Sequence, residues 1–341
     1  MQSNMDKKIL TIVVPVYKVE AYINKCLDSL IIPQDRMERL EVIVVNDGTP
    51  DNSAEMAREY EKRFPDVFRI IDKENGGHGS AWNRGLKEAQ GKYIRFLDSD
   101  DWFDSDGFRR LMEKLESIDA DIVFSDYNRF FTTDGSTVLC PIKATECDRV
   151  LDVSTFDWSA QNMNITNFWY CTYRTDLLRP LWPLFLEGVS YDDSILFVAP
   201  LIQARTVCYV GVPVYYYLFG RPGQSMNDNI IKRKYKDRHK VHMQVFDYFL
   251  DHADEVRDEG RIGILTRILR NMLREDFLDL SNASYGERAL MAEWCDRCER
   301  ISRTLTMPQD LADCRHRFKS LPFPVYFWLR RIKKVFNHNR Y

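Results

Sequence analysis

Three carboxylates follow a short apolar run in the segment Tyr93–Phe103, which reads Tyr-Ile-Arg-Phe-Leu-Asp-Ser-Asp-Asp-Trp-Phe. Asp98, Asp100 and Asp101 therefore stand where a buried strand is expected to end. Short carboxylate side chains two residues apart suit a hard divalent cation such as Mg2+ or Mn2+, and a cation held there can bind a diphosphate. The alternative is an Asp-rich turn that caps the following helix.

Two other acidic positions and a glycine-rich segment could serve the same chemistry. Asp47 follows a second apolar run, and its carboxylate can accept a hydrogen bond from the imide N–H of uracil; otherwise it belongs to a simple Asp-Gly turn. The segment Asn75–Ser80 is rich in glycine and precedes a helix, a setting that favours an anionic ligand. Asp192 and Asp193 are two adjacent carboxylates that can exchange protons with a ligand, or the pair can simply start a helix.

Alternating strand and helix patterns explain how these residues can meet. Short apolar runs predict strands at Ile9–Val16, Leu40–Asn46, Val67–Asp72 and Tyr93–Leu97. Helical spacing between them predicts helices at Ala21–Ile31, Ala54–Arg63 and Ser80–Ala89. This alternation predicts an α/β fold with a mostly parallel, doubly wound sheet, whose ligands bind beyond the carboxyl ends of the strands. Asp47, Asp98 and Asp100 all fall at such ends.

The rest of the chain, from Phe108 onwards, contains further predicted helices and strands. The pattern predicts a helix at Phe108–Leu115, strands at Ala120–Tyr127 and Val207–Phe219, and a helix at Ser194–Ala204. Residues 153–187 are rich in aromatic side chains, which fit a sugar-stacking platform or, as we expect, core filling. Beyond Asn229, dense charge at helical spacing predicts the helices Lys232–Leu250, Arg261–Leu280, Gly286–Thr304 and Pro308–Phe318. We therefore expect two domains, 1–228 and a helical C-terminal domain 229–341.

The composition limits the class of protein. With 341 residues, 45% apolar residues and a formal net charge of −3, the chain has the length of about two domains and no global charge that would favour nucleic acid. Eight scattered cysteines do not resemble a disulfide framework, and no segment resembles a signal peptide or a transmembrane helix. We expect a cytoplasmic protein that does not bind nucleic acid.

The last segment, residues 321–341, places aromatic side chains beside a cluster of Arg and Lys without any acidic residue. Such a segment fits a helix on a membrane surface, because insertion of the rings adds to attraction toward anionic lipid. It would hold the protein at the inner face of the cell membrane. A last helix docked on its own domain with a solvated basic face explains the pattern equally well, and both interpretations stay open.

Four segments, in their order and spacing, resemble the family 2 glycosyltransferases. They are Leu10–Tyr17 with Glu20, Val42–Ser53, Asn75–Gly85 with Tyr93–Phe103, and Tyr191–Leu196 with Tyr217–Met226. The resemblance implies the A-type nucleotide-diphospho-sugar transferase fold for 1–228, a UDP-sugar or related donor, Mg2+ or Mn2+, and inversion at the anomeric carbon. It does not extend to the helical C-terminal region.

The resemblance also implies roles for individual residues. Asp47 reads the base, Asp100 binds the metal, Asp193 is the catalytic base and Asp192 is its neighbour. The implied nucleotide-binding residues are Pro15, Val16, Tyr17, Glu20, Asp47, Lys73, Asp98 and Ser99. The implied sugar and diphosphate contacts are Asn75, Gly76, Gly77, His78, Asn83, Arg221 and Ser225.

Two motifs depart from the family pattern. Many members have Ala-Arg-Asn where this chain has Ala81-Trp82-Asn83, so the contact made elsewhere by that Arg is not expected from this position. Arg84 or Lys73 can substitute for it only if geometry allows. The acidic pair usually reads Glu-Asp-x-x-Phe, whereas here Asp192 replaces Glu and Leu196 replaces Phe.

The expected function is metal-dependent transfer of a sugar to a saccharide or lipid-linked saccharide acceptor, in polysaccharide or cell-envelope biosynthesis. One alternative is a sugar-1-phosphate nucleotidyltransferase. Such enzymes resemble one another in a Gly-rich loop with Arg and Lys after the first strand, but here Val16-Tyr17-Lys18-Val19-Glu20 follows. A second alternative is an inactive scaffold that binds a nucleotide-sugar, which the retained acidic residues oppose.

Overall fold

The computed structural model describes residues 8–142, 146–158, 168–221, 224, 228–282 and 288–305. In this part of the chain the strands are β1 (Leu10–Val16), β2 (Leu40–Asn46), β3 (Phe68–Asp72), β4 (Tyr93–Phe96), β5 (Trp102–Phe103), β6 (Ile122–Phe131), β7 (Thr137–Cys140), β8 (Val150–Asp152), β9 (Cys171–Arg174) and β10 (Thr206–Phe219). The α-helices are α1 (Ile23–Asp28), α2 (Gln34–Met37), α3 (Ser53–Arg63), α4 (His78–Glu88), α5 (Ser105–Ser117), α6 (Thr175–Leu178), α7 (Ala199–Gln203), α8 (Asp228–His252), α9 (Glu259–Asn282) and α10 (Arg288–Thr304). The 3-10 helices are Phe168–Tyr170, Arg179–Leu181, Asp192–Phe197 and Ala253–Glu255.

The strands form a mixed sheet in the order β3-β2-β1-β4-β9-β6-β10-β5, with β7 paired to β6 and β8 paired to β10. β1 pairs in parallel with β2 and β4, and β2 pairs in parallel with β3, so the carboxyl ends of these four strands lie at one edge. β9 is inserted antiparallel between β4 and β6. The predicted doubly wound α/β sheet is confirmed, with β9 and β5 as antiparallel additions that the sequence pattern did not indicate.

The central strands of the sheet are buried on both faces. Every residue of β1 is buried, and β2 is buried except at Asn46. Such strands must be covered by other elements on both sides. Helix α4 packs on β1 so closely that a Cβ at Gly85 would overlap the side chain of Val13. This packing fixes the strands, and with them the positions of the loops that follow Val16 and Asn46.

One predicted helix, Ser194–Ala204, is wrong in its continuity. The structure has a 3-10 helix at Asp192–Phe197 and a separate short helix α7 at Ala199–Gln203. Pro200 explains the break, because its ring lacks an N–H and clashes with the carbonyl of the residue four positions earlier in a continuous helix. The acidic pair thus lies on a short segment of its own.

The helices α8 and α9 pack against the α/β part, and α10 packs on α8 and α9. The Gln244 amide of α8 donates to the carbonyl of Leu184 (3.0 Å), and Arg261 of α9 donates to the carbonyls of Ile202 and Ala204 (3.2 and 3.1 Å). Their apolar side chains belong to the same buried cluster as the sheet. The division at residue 228 therefore stays a prediction.

Among the described residues, no helix is both long and apolar enough to cross a bilayer. The helix predicted at Pro308–Phe318 and the basic aromatic segment 321–341 lie outside the described residues.

Candidate active site

Backbone hydrogen bonds bring the loops after β1 to β4 to one edge of the sheet. The N–H of Asp47 donates to the carbonyl of Val16, and the N–H of Lys73 donates to the carbonyl of Asn46, each at 3.0 Å. The N–H of Leu97 continues the ladder between β4 and β1 by donating to the carbonyl of Val13 (3.0 Å). Asp47, Lys73 and the segment 98–101 therefore start from the same margin of the sheet.

Asp47 organises the glycine-rich loop that precedes α4. Its carboxylate accepts hydrogen bonds from Lys73 Nζ (2.6 Å) and from the backbone N–H groups of Gly76 (2.9 Å) and Gly77 (2.8 Å). The side chain of Asn75 donates to the Asp47 carbonyl at 2.9 Å. Asp47 is only 3% exposed. These bonds occupy three of the roughly four acceptor positions that a carboxylate offers.

His78, the first residue of α4, bridges two carboxylates from distant parts of the chain. Its Nδ1 lies 3.0 Å from Asp192 Oδ2, and its Nε2 lies 3.1 Å from Asp98 Oδ1. Because both partners are acceptors, both ring nitrogens donate, as in the imidazolium form. Burial lowers the pKa of His78, but the charges and hydrogen bonds of Asp192 and Asp98 outweigh it and raise the pKa well above its usual value.

The ring of Trp82 packs against the ring of His78. The two rings are one helical turn apart on α4, with centroids 4.1 Å apart, and the indole is fully buried against Phe96, Phe168 and Phe185. Position 82, where many family members have Arg, is therefore a buried packing position in this chain. Of the two predicted substitutes, Arg84 pairs with Glu88 on α4 at 3.1 Å, and Lys73 pairs with Asp47 at 2.6 Å.

The acidic pair lies on the 3-10 helix Asp192–Phe197. Asp192 is buried and its carboxylate faces His78, while Asp193 is partly exposed. Burial and the negative charge of Asp192 raise the pKa of Asp193 to about 7, although the nearby His78 lowers it. A carboxylate with this pKa can take up a proton near neutral pH and release it again.

Side chains from two sides hold this segment in place. Tyr173 on β9 donates its hydroxyl to the carbonyl of Leu196 (3.2 Å). From α8, Asp237 accepts the N–H of Ser190 (3.3 Å), and the Arg238 guanidinium lies 5.8 Å from the ring centroid of Tyr191. The C-terminal helices therefore help to orient the acidic pair, a connection that the sequence did not indicate.

The carboxylates of Asp98, Asp100 and Asp101 offer oxygen atoms within 4.8 Å of one another. Within the described residues, they form a group of three side chains of the types that bind metal ions, close enough together to hold one. Asp98 and Asp100 retain side-chain exposures of 28% and 15%. The guanidinium of Arg221 pairs with Asp100. Burial and the charge of Asp98 raise the pKa of Asp100, despite the opposing effect of Arg221.

Asp101 supports the acidic loop, residues 98–101, and the alternative in which the Asp-rich turn caps the following helix is wrong for this residue. The N-cap of α5 is Asp104, which accepts the N–H of Gly107 at 2.7 Å. Asp101 is buried and accepts bonds from the Tyr215 hydroxyl (2.7 Å) and the Leu218 N–H (2.8 Å). Burial and the neighbouring carboxylates raise its pKa well above the usual value. Through these two hydrogen bonds, Asp101 attaches the acidic loop to β10.

The other implied nucleotide-binding residues divide by exposure. Pro15 and Val16 are buried in β1, and Ser99 is buried in the acidic loop. Tyr17 is exposed at the carboxyl end of β1, and Glu20 binds the side chain of Asn52 at 3.0 Å. Only Tyr17 and Glu20 of this group present side chains to a ligand.

The implied sugar contacts divide in the same way. The glycine loop, His78 and Arg221 lie around the carboxylates, whereas Asn83 is buried and binds the backbone of Phe185 through both its amide nitrogen (2.8 Å) and its oxygen (3.0 Å). Asn83 therefore positions the segment that leads to Asp192. Ser225 lies outside the described residues.

Two contributors were missed by sequence reasoning. Tyr215 binds both Asp101 and the N–H of Asp98 (3.3 Å), and its alternation along β10 with Tyr217 is a signal that would have placed both on one face. The stack of His78 on Trp82 follows from their spacing of four residues in a helix, which brings side chains together.

A substitution at Gly79 tests the close contact of α4 with Leu186 and Asp192. A Cβ there would overlap the carbonyl of Leu186 and lie 2.8 Å from Asp192 Oδ2. We expect Gly79→Ala to lower the free energy of unfolding by about 1–3 kcal/mol through overpacking. As a control, Gly263→Ala adds a Cβ on α9 with no atom within 4 Å and should raise the free energy of unfolding by about 0.5–1 kcal/mol. Urea denaturation measures both, and a Gly79→Ala variant as stable as the wild type contradicts the contact.

Comparison with known proteins adds independent observations. Residues 11–176 match the sequence model of the family described as Glycosyl transferase family 2. The chain is 35% identical over 214 residues to the Bacillus subtilis "Uncharacterized glycosyltransferase EpsJ", covering 61% of this chain and 60% of the relative. It is 31% identical over 217 residues to the Streptococcus pneumoniae "Glycosyltransferase GlyG", covering 62% of this chain and 70% of the relative. The matched region thus spans 60% of the length of EpsJ.

A solved structure shares the architecture. The crystal structure of S. aureus TarS residues 1–349 in complex with UDP-GlcNAc has a TM-score of 0.70 to this chain at 17% sequence identity, and the likeness covers 98% of this chain and 93% of TarS 1–349. At this identity the likeness shows a common fold, and it includes the helical C-terminal region as well as the sheet.

Proposed function

The chain belongs to family 2 of the glycosyltransferases, and from this premise we propose that it transfers a sugar from a UDP-sugar to an acceptor hydroxyl, with inversion and with the help of Mg2+ or Mn2+. The acceptor we propose is a saccharide or a lipid-linked saccharide of polysaccharide or cell-envelope biosynthesis, and the place of work is the inner face of the cell membrane. Of these details, the UDP-sugar donor is supported by TarS, which shares the fold and was crystallised in complex with UDP-GlcNAc.

One observation carries the proposal: His78 joins Asp98 to Asp192 at 3.1 and 3.0 Å. Asp98 belongs to the acidic loop after β4, and Asp192 precedes the candidate base by one residue. The bridge therefore places the acidic loop and the segment that carries the candidate base one imidazole ring and two hydrogen bonds apart. An inverting transfer needs this juxtaposition, because the acceptor oxygen attacks while the diphosphate leaves on the opposite face of the sugar.

The acidic loop fits a divalent cation. Asp98 and Asp100 provide partly exposed carboxylate oxygens, the ligand type that Mg2+ and Mn2+ prefer, whereas both oxygens of Asp101 are occupied by Tyr215 and Leu218. Burial, and after it the charge of Asp98, raise the pKa of Asp100, and a bound cation would favour its carboxylate form. When bound, the ion would neutralise the diphosphate and make the nucleotide a better leaving group. We assign the direct contact to Asp100.

The protein's own residues account for the remaining chemistry. Asp193, with a pKa of about 7, would take the proton of the acceptor hydroxyl. His78, whose two N–H groups bind Asp192 and Asp98, would place positive charge beside the sugar and the departing phosphate. Asp47 keeps one acceptor position for the imide N–H of uracil, and Tyr17 offers an exposed ring beside it.

A donor screen tests the proposal. Purified protein is incubated with UDP-, GDP- and dTDP-sugars and Mn2+, with and without mixed saccharide acceptors, and release of the nucleoside diphosphate is measured. We expect release from a UDP-sugar that stops when EDTA is added. Pyrophosphate formed from a nucleoside triphosphate and a sugar-1-phosphate would instead identify a nucleotidyltransferase. Binding of UDP-sugars without turnover under any condition would identify a scaffold.

A further inference from the structure

Arg221 stands at the carboxylate that the proposed function assigns to the metal. We propose that the Arg221 guanidinium holds the cation position at Asp100 in the nucleotide-free protein, so that Mg2+ or Mn2+ enters together with the nucleoside diphosphate. Arg221 is then a residue that couples metal binding to donor binding. This inference rests on the proposed function and extends it to the order in which the two ligands are taken up.

The ion pair between Arg221 and Asp100 is partly buried. The side chains of Asp100 and Arg221 are 15% and 26% exposed, and Nε of Arg221 pairs directly with Oδ2 of Asp100. A guanidinium and a divalent ion compete for the same carboxylate lone pairs. An ion that binds Asp100 through Oδ2 must therefore displace Arg221.

Gly220 and Gln224, the described neighbours of Arg221, are linked to each other and to β10. Gly220 adopts φ +92, a conformation that favours glycine, and its N–H donates to Gln224 Oε1 at 2.9 Å. The buried Gln224 side chain in turn donates to the Tyr217 hydroxyl (2.8 Å) and the Leu218 carbonyl (2.7 Å). Release of Asp100 therefore requires a rotation of the Arg221 side chain and no movement of these anchors.

The guanidinium contacts an aromatic ring while it pairs with Asp100, and open space adjoins it. Its carbon atom lies 5.6 Å from the ring centroid of Tyr22, a contact favourable to a cation. A cavity of 240 Å³ adjoins the ion pair. Its lining includes Ala21, Tyr22, Lys25, Trp102, Thr132 and Leu218.

The charges explain why the exchange needs the donor. Without a diphosphate, displacing Arg221 would give up an ion pair with Asp100 and leave the guanidinium without a carboxylate partner. A diphosphate brings negative oxygens that can receive Arg221 while the metal ion takes Asp100. Both cations then have a counter-ion, so metal and nucleotide bind cooperatively.

Calorimetric titration with Mn2+ alone tests the proposal on the full chain. Arg221→Gln should bind Mn2+ about three- to tenfold more tightly than the wild type in the absence of nucleotide, because the competing cation is gone. The gain in Mn2+ affinity on adding UDP should shrink in the same variant. Arg221→Lys, which keeps the charge, should behave like the wild type. Arg297→Gln, which removes the same charge from the ion pair with Asp247 (2.8 Å), should leave Mn2+ binding unchanged.

The outcomes separate the two proposals. Unchanged or weaker Mn2+ binding by folded Arg221→Gln overturns the role of Arg221, and so does an equal effect of Arg297→Gln. If the wild type binds no Mn2+ even with UDP, the metal assignment in the proposed function fails instead. Asp100→Asn in the Arg221→Gln background should abolish the gained affinity, and retained affinity would place the ion elsewhere and overturn the inference.

Discussion

Asp193→Asn is expected to lower the rate of sugar transfer by a factor of about 10³ or more, because the variant cannot accept the proton of the acceptor hydroxyl. Binding of UDP with Mn2+ should persist, since the residues assigned to the uracil and to the metal, Asp47 and Asp100, are unchanged. Single-turnover measurements give the transfer rate, and calorimetry gives the binding. Unchanged transfer by Asp193→Asn would eliminate this residue as the base.

The pH dependence of the same reaction gives a second readout of the base. With a pKa of about 7, Asp193 is protonated and inactive below that pH, so the wild-type rate should rise as pH increases through about 7. The charge of Asp192 contributes to the raised pKa of Asp193, and Asp192→Asn should therefore move this rise to lower pH. A rise that stays at the same pH in Asp192→Asn would contradict the electrostatic coupling of the pair.

Asp100→Asn is expected to weaken UDP binding in the presence of Mn2+ by roughly 100-fold or more, because the variant loses the carboxylate assigned to the ion. The matched control is Asp104→Asn, the same chemical change four positions along the chain. Asp104 caps α5, and asparagine caps a helix about as well as aspartate. Calorimetry on both variants decides the assignment, which fails if they bind UDP and Mn2+ equally.

The repeating part of the fold was readable from the sequence. The boundaries of β2 agree with the apolar run Leu40–Asn46, and β1, β3 and β4 differ from their predictions by one residue at one end. These strands are buried on a continuous sheet, so local hydrophobicity and structure coincide. Position at the strand ends was sufficient to gather Asp47, Asp98 and Asp100 at one margin, because parallel strands share a direction.

Contacts between distant segments were not readable in the same way. β9 consists of only four residues, Cys171–Arg174, and its place between β4 and β6 is set by tertiary packing. The contact of His78 with Asp192 spans 114 positions and depends on the path of the chain after β9. The competition of Arg221 and a metal for Asp100 likewise depends on distances that no local pattern encodes.

β9 is synthesised after β4 and β6, the two strands between which it lies, and this order has a consequence for biosynthesis. When the ribosome has released β6, the facing edges of β4 and β6 still lack the strand that will join them, because Cys171–Arg174 has not yet been made. Exposed edges of this kind invite pairing with other chains. At about 5–20 residues per second, the nascent chain carries this gap for several seconds. Fragments that end before Arg174 should therefore aggregate or remain bound to chaperones, whatever the quality of their first four strands.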